Sequence, residues 1–577
     1  MTMLRKVVGV VLLVSSGALA VNSASAKEKV SSGDPALSIS PVAARAINDV
    51  EDAPLASLNA VSGKLHYGFY ANRGQKNAVH IIPDYSFAGY MGGGVALPER
   101  EAIPVRAILA ADEKIDDLNR INKVLAEIAA LPINEQGYRG ALLLKAGIWQ
   151  ISGQVNIPAS GIVLRGEGQG LDGTVIIATS TKNRDDFLVA EGVGGGRSPR
   201  AAHPAQLTSI TQPYVPVGSN TIDVTSTKGY AVGDKIGIRR TPNEKWLGRE
   251  GVNTAQYGWV PKRYGVVFER TVTGVNDTTL SFDIPMVDTI ETQFGGGEVY
   301  RINTAGRLQQ IGIENLRLET LRYKDVKRQD RAFSGIVFEQ VENSWIRDVT
   351  IRSFSHAFVM REGTRQITIQ DVAATDPNFE VRGGNHYAFG IQGGAQILIQ
   401  RCYAHRSRHA FIGGSTLAGP NVFLDCLAEK SDSDSGPHHR WATGTLYDNI
   451  KDSLWRAQNR TDAGSGHGWA GAQEMLWKSD LKRIVVQAPP FAMNYAVGNK
   501  GAIVRGSRVP GAPNGIIESK GDHILPRSLY LKQLEDRLGA EAVRTVTTEN
   551  QRTGTLWSSL AKWKGEGTLK PHLEELP

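Results

Sequence analysis

At 577 residues the chain is too long for one ordinary compact core, and its 41% hydrophobic and 21% charged residues exclude a largely disordered protein. The net charge is +7, or +5 without Arg5 and Lys6 of the first 26 residues; this favours an anionic partner only weakly and does not mark a nucleic-acid binder. Two cysteines, Cys402 and Cys426, exclude metal sites built on several thiolates.

Met1 to Ala26 combines a basic start, an apolar run from Val7 to Ala20 and the small residues Ala24-Ser25-Ala26, the pattern of a secretory signal peptide cleaved after about Ala26. The expected product is secreted or periplasmic. No later stretch approaches the roughly 20 apolar residues of a membrane span, so no integral segment is expected after removal of the leader. Residues 27–60 lack periodicity and read as a linker. Residues 61–135 read as an N-terminal cap region. Within it, Pro83 to Gly94 mixes aromatics with glycines and suits a cover over the first β segments, or alternatively a substrate-facing loop. Apolar residues at Leu118, Ile121, Val124, Leu125, Ile128 and Leu131 have helical spacing and predict a helical lid.

From 136 to 500 short apolar segments recur between polar, glycine-rich turns, with a β-rich insertion expected at about 180–305. The insertion holds Trp246, Trp259 and Tyr264, which suit a core better than stacking on sugars. Segments opening at Ser334, His356, Tyr387, His409, Trp441 and Trp469 lie 22 to 32 residues apart. Such a period of β-type segments indicates a solenoid, whose units bury their apolar sides only by stacking. Asn315, Asp348 and Asp371 recur before apolar residues and predict a polar ladder at a turn. The cysteines close successive coils, either as small interior residues or as a disulfide. Residues 501–577 read as a C-terminal cap, with Ser528 capping a helix to about Val543, followed by a loose tail from Lys562.

The order of a helix, then Arg139-Gly140-Ala141 with Leu142 to Leu144 and Gly147-Ile148-Trp149, then Leu164-Arg165-Gly166-Glu167-Gly168, resembles the first coils of the pectate-lyase-like superfamily. The resemblance implies an all-β fold: a right-handed, single-stranded parallel β-helix with an N-terminal helix cap. It also implies a polysaccharide-binding flank, in many members that of a lyase acting on uronate-containing chains and in others that of a hydrolase.

In a stacked solenoid, equivalent sequence positions become rows about 4.8 Å apart. The residues before the later openings include His386, Arg408 and Arg440, and around them lie His405, Arg406, His409, His438, His439 and His467. Elimination from a uronate requires cations against the carboxylate and a base for the adjacent proton. Arg408 and Arg440 suit the first role, and His405, His409, His438, His439 or His467 the second. Asn385, His386, Tyr387, Arg406, Trp441 and Trp469 are the expected substrate contacts. Asp432 and Asp434 serve two alternatives, the carboxyl pair of a glycoside hydrolase or, with Asp376 and Glu380, ligands of a Ca²⁺ ion. The pattern demands no cofactor, and a non-catalytic carbohydrate-binding solenoid is the third reading. The expected partner is an acidic polysaccharide.

Overall fold

A short strand that alternates apolar and polar residues buries its apolar row only against a like strand, and this chain meets that need by stacking parallel strands coil upon coil. The computed structural model describes residues 45–46, 54–193, 207–241 and 243–574. Three faces run along the stack. On the first face the register aligns Leu142, Leu164, Ile313, Ile346, Ile369, Ile399, Phe423, Tyr447, Leu476 and Ala496 in one column. On the second, Trp149, Ile176, Leu318, Ile351, Ala374, Ala404 and Ala428 align. The third comprises Val155–Ile157, Asn183–Glu191, Arg331–Glu339, His356–Met360, Tyr387–Ile391, His409–Gly413 and Gly436–Pro437. Its column Ile336, Phe358, Phe389, Phe411 packs with ring centroids 5.1 Å apart for the first phenylalanine pair and 5.9 Å for the second. The fold is a parallel β-helix.

In six successive coils the turn from first to second face has a residue in the left-handed backbone region, and Asn315, Asp348, Asp371, Arg401, Asp425 and Asn449 take it with φ between 52° and 61°. Asn and Asp tolerate that conformation best. The polar ladder exists, but it is largely ionic. Asn315 donates to the Gly166 carbonyl at 3.0 Å, whereas Asp348 pairs with Arg100, Asp371 accepts two bonds from Arg401 at 2.7 and 2.9 Å, and Asp425 pairs with Arg527. Cys402 and Cys426 are buried free thiols within the stack.

The insertion folds as a six-stranded antiparallel sheet between Asn183–Glu191 and Leu308–Gln309. Its core takes in Trp246, Trp259 and Tyr264 together with Trp441 and Trp469 of the coils. That corrects the series of openings. Strands Ala442–Asp448 and Gly471–Ala472 belong with the first-face strands, and the third face continues after His409–Gly413 through Gly436–Pro437 instead.

The helix Leu118–Ala129 buries Ile121, Leu125 and Ile128 in the main core beside Leu142, Val155 and Leu164. The segment from Pro83 to Gly94 does not cover the first coil. It crosses the middle of the first face, where Gly89 donates to the Gln396 carbonyl, Tyr90 N–H to Thr368 Oγ1 and Tyr530 hydroxyl to the Ala88 carbonyl. Ser528 caps Leu529–Leu538, but Gly539 breaks the helix before Ala540–Val546. The tail is not loose: Leu560, Trp563, Leu569 and Leu573 pack on Tyr403 and Leu427 of the second face. The leader lies outside the described residues, and among those described no helix is long and apolar enough to cross a membrane.

Phe389 sits fully buried between two rings, so Phe389→Ala is expected to lower unfolding free energy by about 3–5 kcal/mol. Chemical denaturation followed by tryptophan fluorescence checks this; a loss near zero would mean that the ring column does not hold the third face.

Candidate active site

The pairing that stacks the phenylalanines also aligns Ser334, His356, Tyr387 and His409. Three residues further along each strand, Val337 and Val359 align with Gly390 and Ile412, and the absence of a side chain at Gly390 opens the floor of a cleft of about 620 Å³. Tyr387, His438, His439, His467, Arg408, Arg460 and Arg508 line it, with Gln392 and the backbone of Gly383, Gly384 and Gly464. Among the described residues no carboxylate lines this cleft, but Asp462, next to the lining residue Ala463, accepts from Arg508 at 2.7 Å.

His438, His439 and His467 stand in a triangle, all three ring centroids 5.2 Å apart. Tyr387 lies against His438, its hydroxyl 3.3 Å from Nε2. On the other side of that imidazole, Arg460 Nη1 reaches Nδ1 at 3.0 Å and the His438 carbonyl at 2.7 Å. Beneath Tyr387, at a centroid distance of 5.0 Å and nearly parallel, lies the fully buried His409. Its Nδ1 is 2.8 Å from the Asp434 carbonyl and 3.3 Å from its carboxylate, which also accepts from Arg456 at 2.5 Å.

The insertion positions the third imidazole. Gly466 has φ +80°, and a Cβ there would meet the Tyr257 carbonyl at 1.9 Å; at Gly468, φ +55°, it would meet the Trp259 ring at 2.7 Å. Trp259 Nε1 donates to the Gly466 carbonyl at 2.8 Å. The Gly466-His467-Gly468 spacing thus lets the insertion clamp the loop carrying His467.

Several expected site residues lie elsewhere. Trp441 and Trp469, 1% and 4% exposed, are core residues, and Trp441 donates to Asp288 at 2.8 Å; they cannot meet a substrate. His386 and Asn385 anchor the loop beside the cleft, His386 Nε2 on the Phe379 carbonyl at 2.7 Å and Asn385 on the Glu380 carbonyl at 2.9 Å. His405 pairs with Asp376 at the end of the second face, and Arg406 is exposed at the turn that follows; neither lines the cleft. Arg440 holds the Ser465 carbonyl at 2.8 Å. Asp434 is committed to His409 and Arg456 while Asp432 is exposed, and Asp376 and Glu380 face His405 and Arg382. These four do not assemble a Ca²⁺ site, and among the described residues no three His, Cys, Asp or Glu side chains gather as one. Arg460 and Arg508 went unrecognised in the sequence. Arg460 follows the strand Lys451–Ala457 as the other site loops follow theirs, while Arg508 lies in a distant loop without a motif.

Burial, with the neighbouring guanidinium groups, keeps the imidazoles neutral. Burial and then Arg440 and Arg460 lower His439 to about 4; burial, Arg460, His439 and Arg440 lower His467 to about 3; His438 is pushed well below the ordinary range by burial, His409 and Arg460. Burial alone would raise Asp434, but His409 and Arg456 hold it well below the usual carboxylate range. The cleft therefore joins fixed positive charge to neutral bases, a combination suited to an anionic ligand that must lose a proton.

No protein-family model and no curated protein matches the chain. Among solved structures it is similar to the tailspike gp49 from Pseudomonas phage LKA1, at 15% identity over 67% of this chain and 68% of that one, TM-score 0.39. It is also similar to the gp54 tailspike of Acinetobacter baumannii bacteriophage AP22 in complex with A. baumannii capsular saccharide, at 12% over 72% and 67%, TM-score 0.40. A third is a polygalacturonase from Erwinia carotovora ssp. carotovora, at 13% over 74% and 98%, TM-score 0.36.

Because His439 and His467 stay neutral in the fold while the unfolded chain takes up protons below about pH 6.5, stability should be full above that pH and fall as pH drops toward 4 and then 3. Thermal midpoints measured across this range check the sign, and the double variant His439→Gln, His467→Gln should weaken the dependence. A wild-type midpoint unchanged from about pH 7 to 4 would contradict it.

Proposed function

We propose that this is an exported enzyme that cleaves a uronate-containing, acidic polysaccharide by β-elimination. The observation that carries the reading is the lining of the cleft: three guanidinium groups, three neutral imidazoles and a phenol, with no carboxylate among the described residues. Arg408, Arg460 and Arg508 grip the uronate carboxylate and stabilise the charge that spreads onto it as the adjacent proton leaves. His439 or His467 takes that proton. Their bound form is a better base than the free protein suggests, since a carboxylate set among the arginines offsets the charge that helps to depress the imidazoles. Export is supported by the leader-like first 26 residues.

Hydrolysis needs two carboxyl groups flanking the scissile bond. Asp434 is buried behind His409 and Asp432 lies outside the cleft lining, so the geometry supports elimination over hydrolysis through that pair.

Incubation of the protein with a panel of uronate-containing polysaccharides should produce ultraviolet absorbance of an unsaturated uronate, with none from neutral chains. Arg460→Gln and Arg508→Gln should each raise KM several-fold, and added salt should raise it in the wild type. New reducing ends without absorbance would mean hydrolysis, and neither signal on the whole panel would remove the lyase reading.

A further inference from the structure

A β-elimination has a second proton to place, on the departing glycosidic oxygen, and the neutral imidazole that takes the first need not be the group that gives the second. The cleft holds one other proton donor with a dedicated partner. Arg460 can only donate, so its contact at 3.0 Å makes His438 Nδ1 an acceptor and leaves the ring proton of the neutral imidazole on Nε2. That Nε2–H faces the Tyr387 oxygen at 3.3 Å. The phenol is thus the acceptor in this pair, and its own O–H is left to point into the cleft it lines. The ring itself is held by stacking on His409 at 5.0 Å, and His409 is fixed in turn through Nδ1 to Asp434 and thence to Arg456. Two charged chains, Arg460–His438 and Arg456–Asp434–His409, converge on one tyrosine.

We propose, on the reading that the cleft performs elimination, that Tyr387 is the catalytic acid and that His438 is the positioning residue that holds it as a donor and stabilises its anion. For a 4-linked uronate the steps balance as follows. An imidazole of His439 or His467 takes the proton from C5, and the C–H electron pair becomes the C4=C5 double bond. The C4–O bond breaks with its pair on the glycosidic oxygen, which takes the Tyr387 proton. The phenolate left behind accepts from His438 Nε2–H, and the imidazolium later returns its proton to it. His439 and His467, each 5.2 Å from His438, are the near source for that return.

A leaving group that needs no proton separates this role from the others. Wild type, Tyr387→Phe, His438→Ala and His439→Ala, His467→Ala are compared on a polysaccharide that the wild type eliminates and on a uronate bearing nitrophenoxide at C4. Tyr387→Phe keeps the ring on His409, and circular dichroism with thermal melting confirms that each variant is folded. Loss of an acid costs about a hundred-fold or more. Tyr387→Phe should lose that much on the polysaccharide but less than about ten-fold on the nitrophenoxide substrate, with His438→Ala showing the same split and the double imidazole variant losing both activities. Equal loss of Tyr387→Phe on both substrates, or no loss on either, overturns the assignment. Absence of any unsaturated product from the wild type instead overturns the elimination reading on which it rests.

Discussion

Everything at the cleft depends on the register of the third face. The same pairing that sets Phe358 on Phe389 and Phe389 on Phe411 sets His356 beside Tyr387 and Tyr387 on His409. Strand register has a period of two, so a slip of one residue would turn the ring column out of the core and dismantle the site in the same step. Packing thus enforces the positions of chemically active side chains that contribute little to stability themselves. The buried dyad of His409 and Asp434 adds a polar fixing point under the tyrosine, satisfied on its carboxylate side by Arg456 and Ser433.

The antiparallel insertion acts as a buttress for these coils. Glu269 is held at about 2, because Arg365 and Arg307 outweigh the burial that would raise it, and Arg307 also reaches Glu342 at 2.6 Å. This network ties a strand of the insertion to the entry of two coils. A similar tie, Arg240 to Asp288 at 3.0 Å with Trp441 donating to the same carboxylate, locks the insertion over the coil behind the cleft. Buried charges of this kind are costly unless fully paired, and a paired set favours a single docking geometry. The loop with His467 inherits that geometry through Trp259.

The stacked architecture was legible because β-rich segments and their turns recur in the chain whatever the loop lengths between them. The convergence of Tyr387, Arg408, His438, His439 and His467 was legible for the same reason, since neighbouring coils bring such loops to one side. What failed was counting. Trp441-Ala442-Thr443-Gly444 looks like the earlier openings, yet it begins a first-face strand, because a coil with a shortened third strand cannot be told by pattern from one with a long turn. His405 and Arg406 lie close in sequence to Arg408, but the turn at Arg406, with φ 57°, sends them to a different side. The contact of Trp259 with Gly466 spans about two hundred residues and leaves only a pair of glycines as its trace.

The C-terminal segment changes what kind of object the stack is. In a simple solenoid each coil touches only its neighbours, so coils can peel away singly from either end. Here Thr350 donates to the Gly565 carbonyl at 2.6 Å, Trp557 to the Asn449 carbonyl at 3.0 Å, and Leu55 to Glu518 at 3.0 Å, so stretches remote in the chain are bound to the flank of the middle coils and to the last of them. Such a clasp turns a zipper into a locked ring of dependencies: no coil between the fastened points can fray without first undoing the fastening. The coils that carry the cleft are therefore expected to melt with the whole body rather than ahead of it.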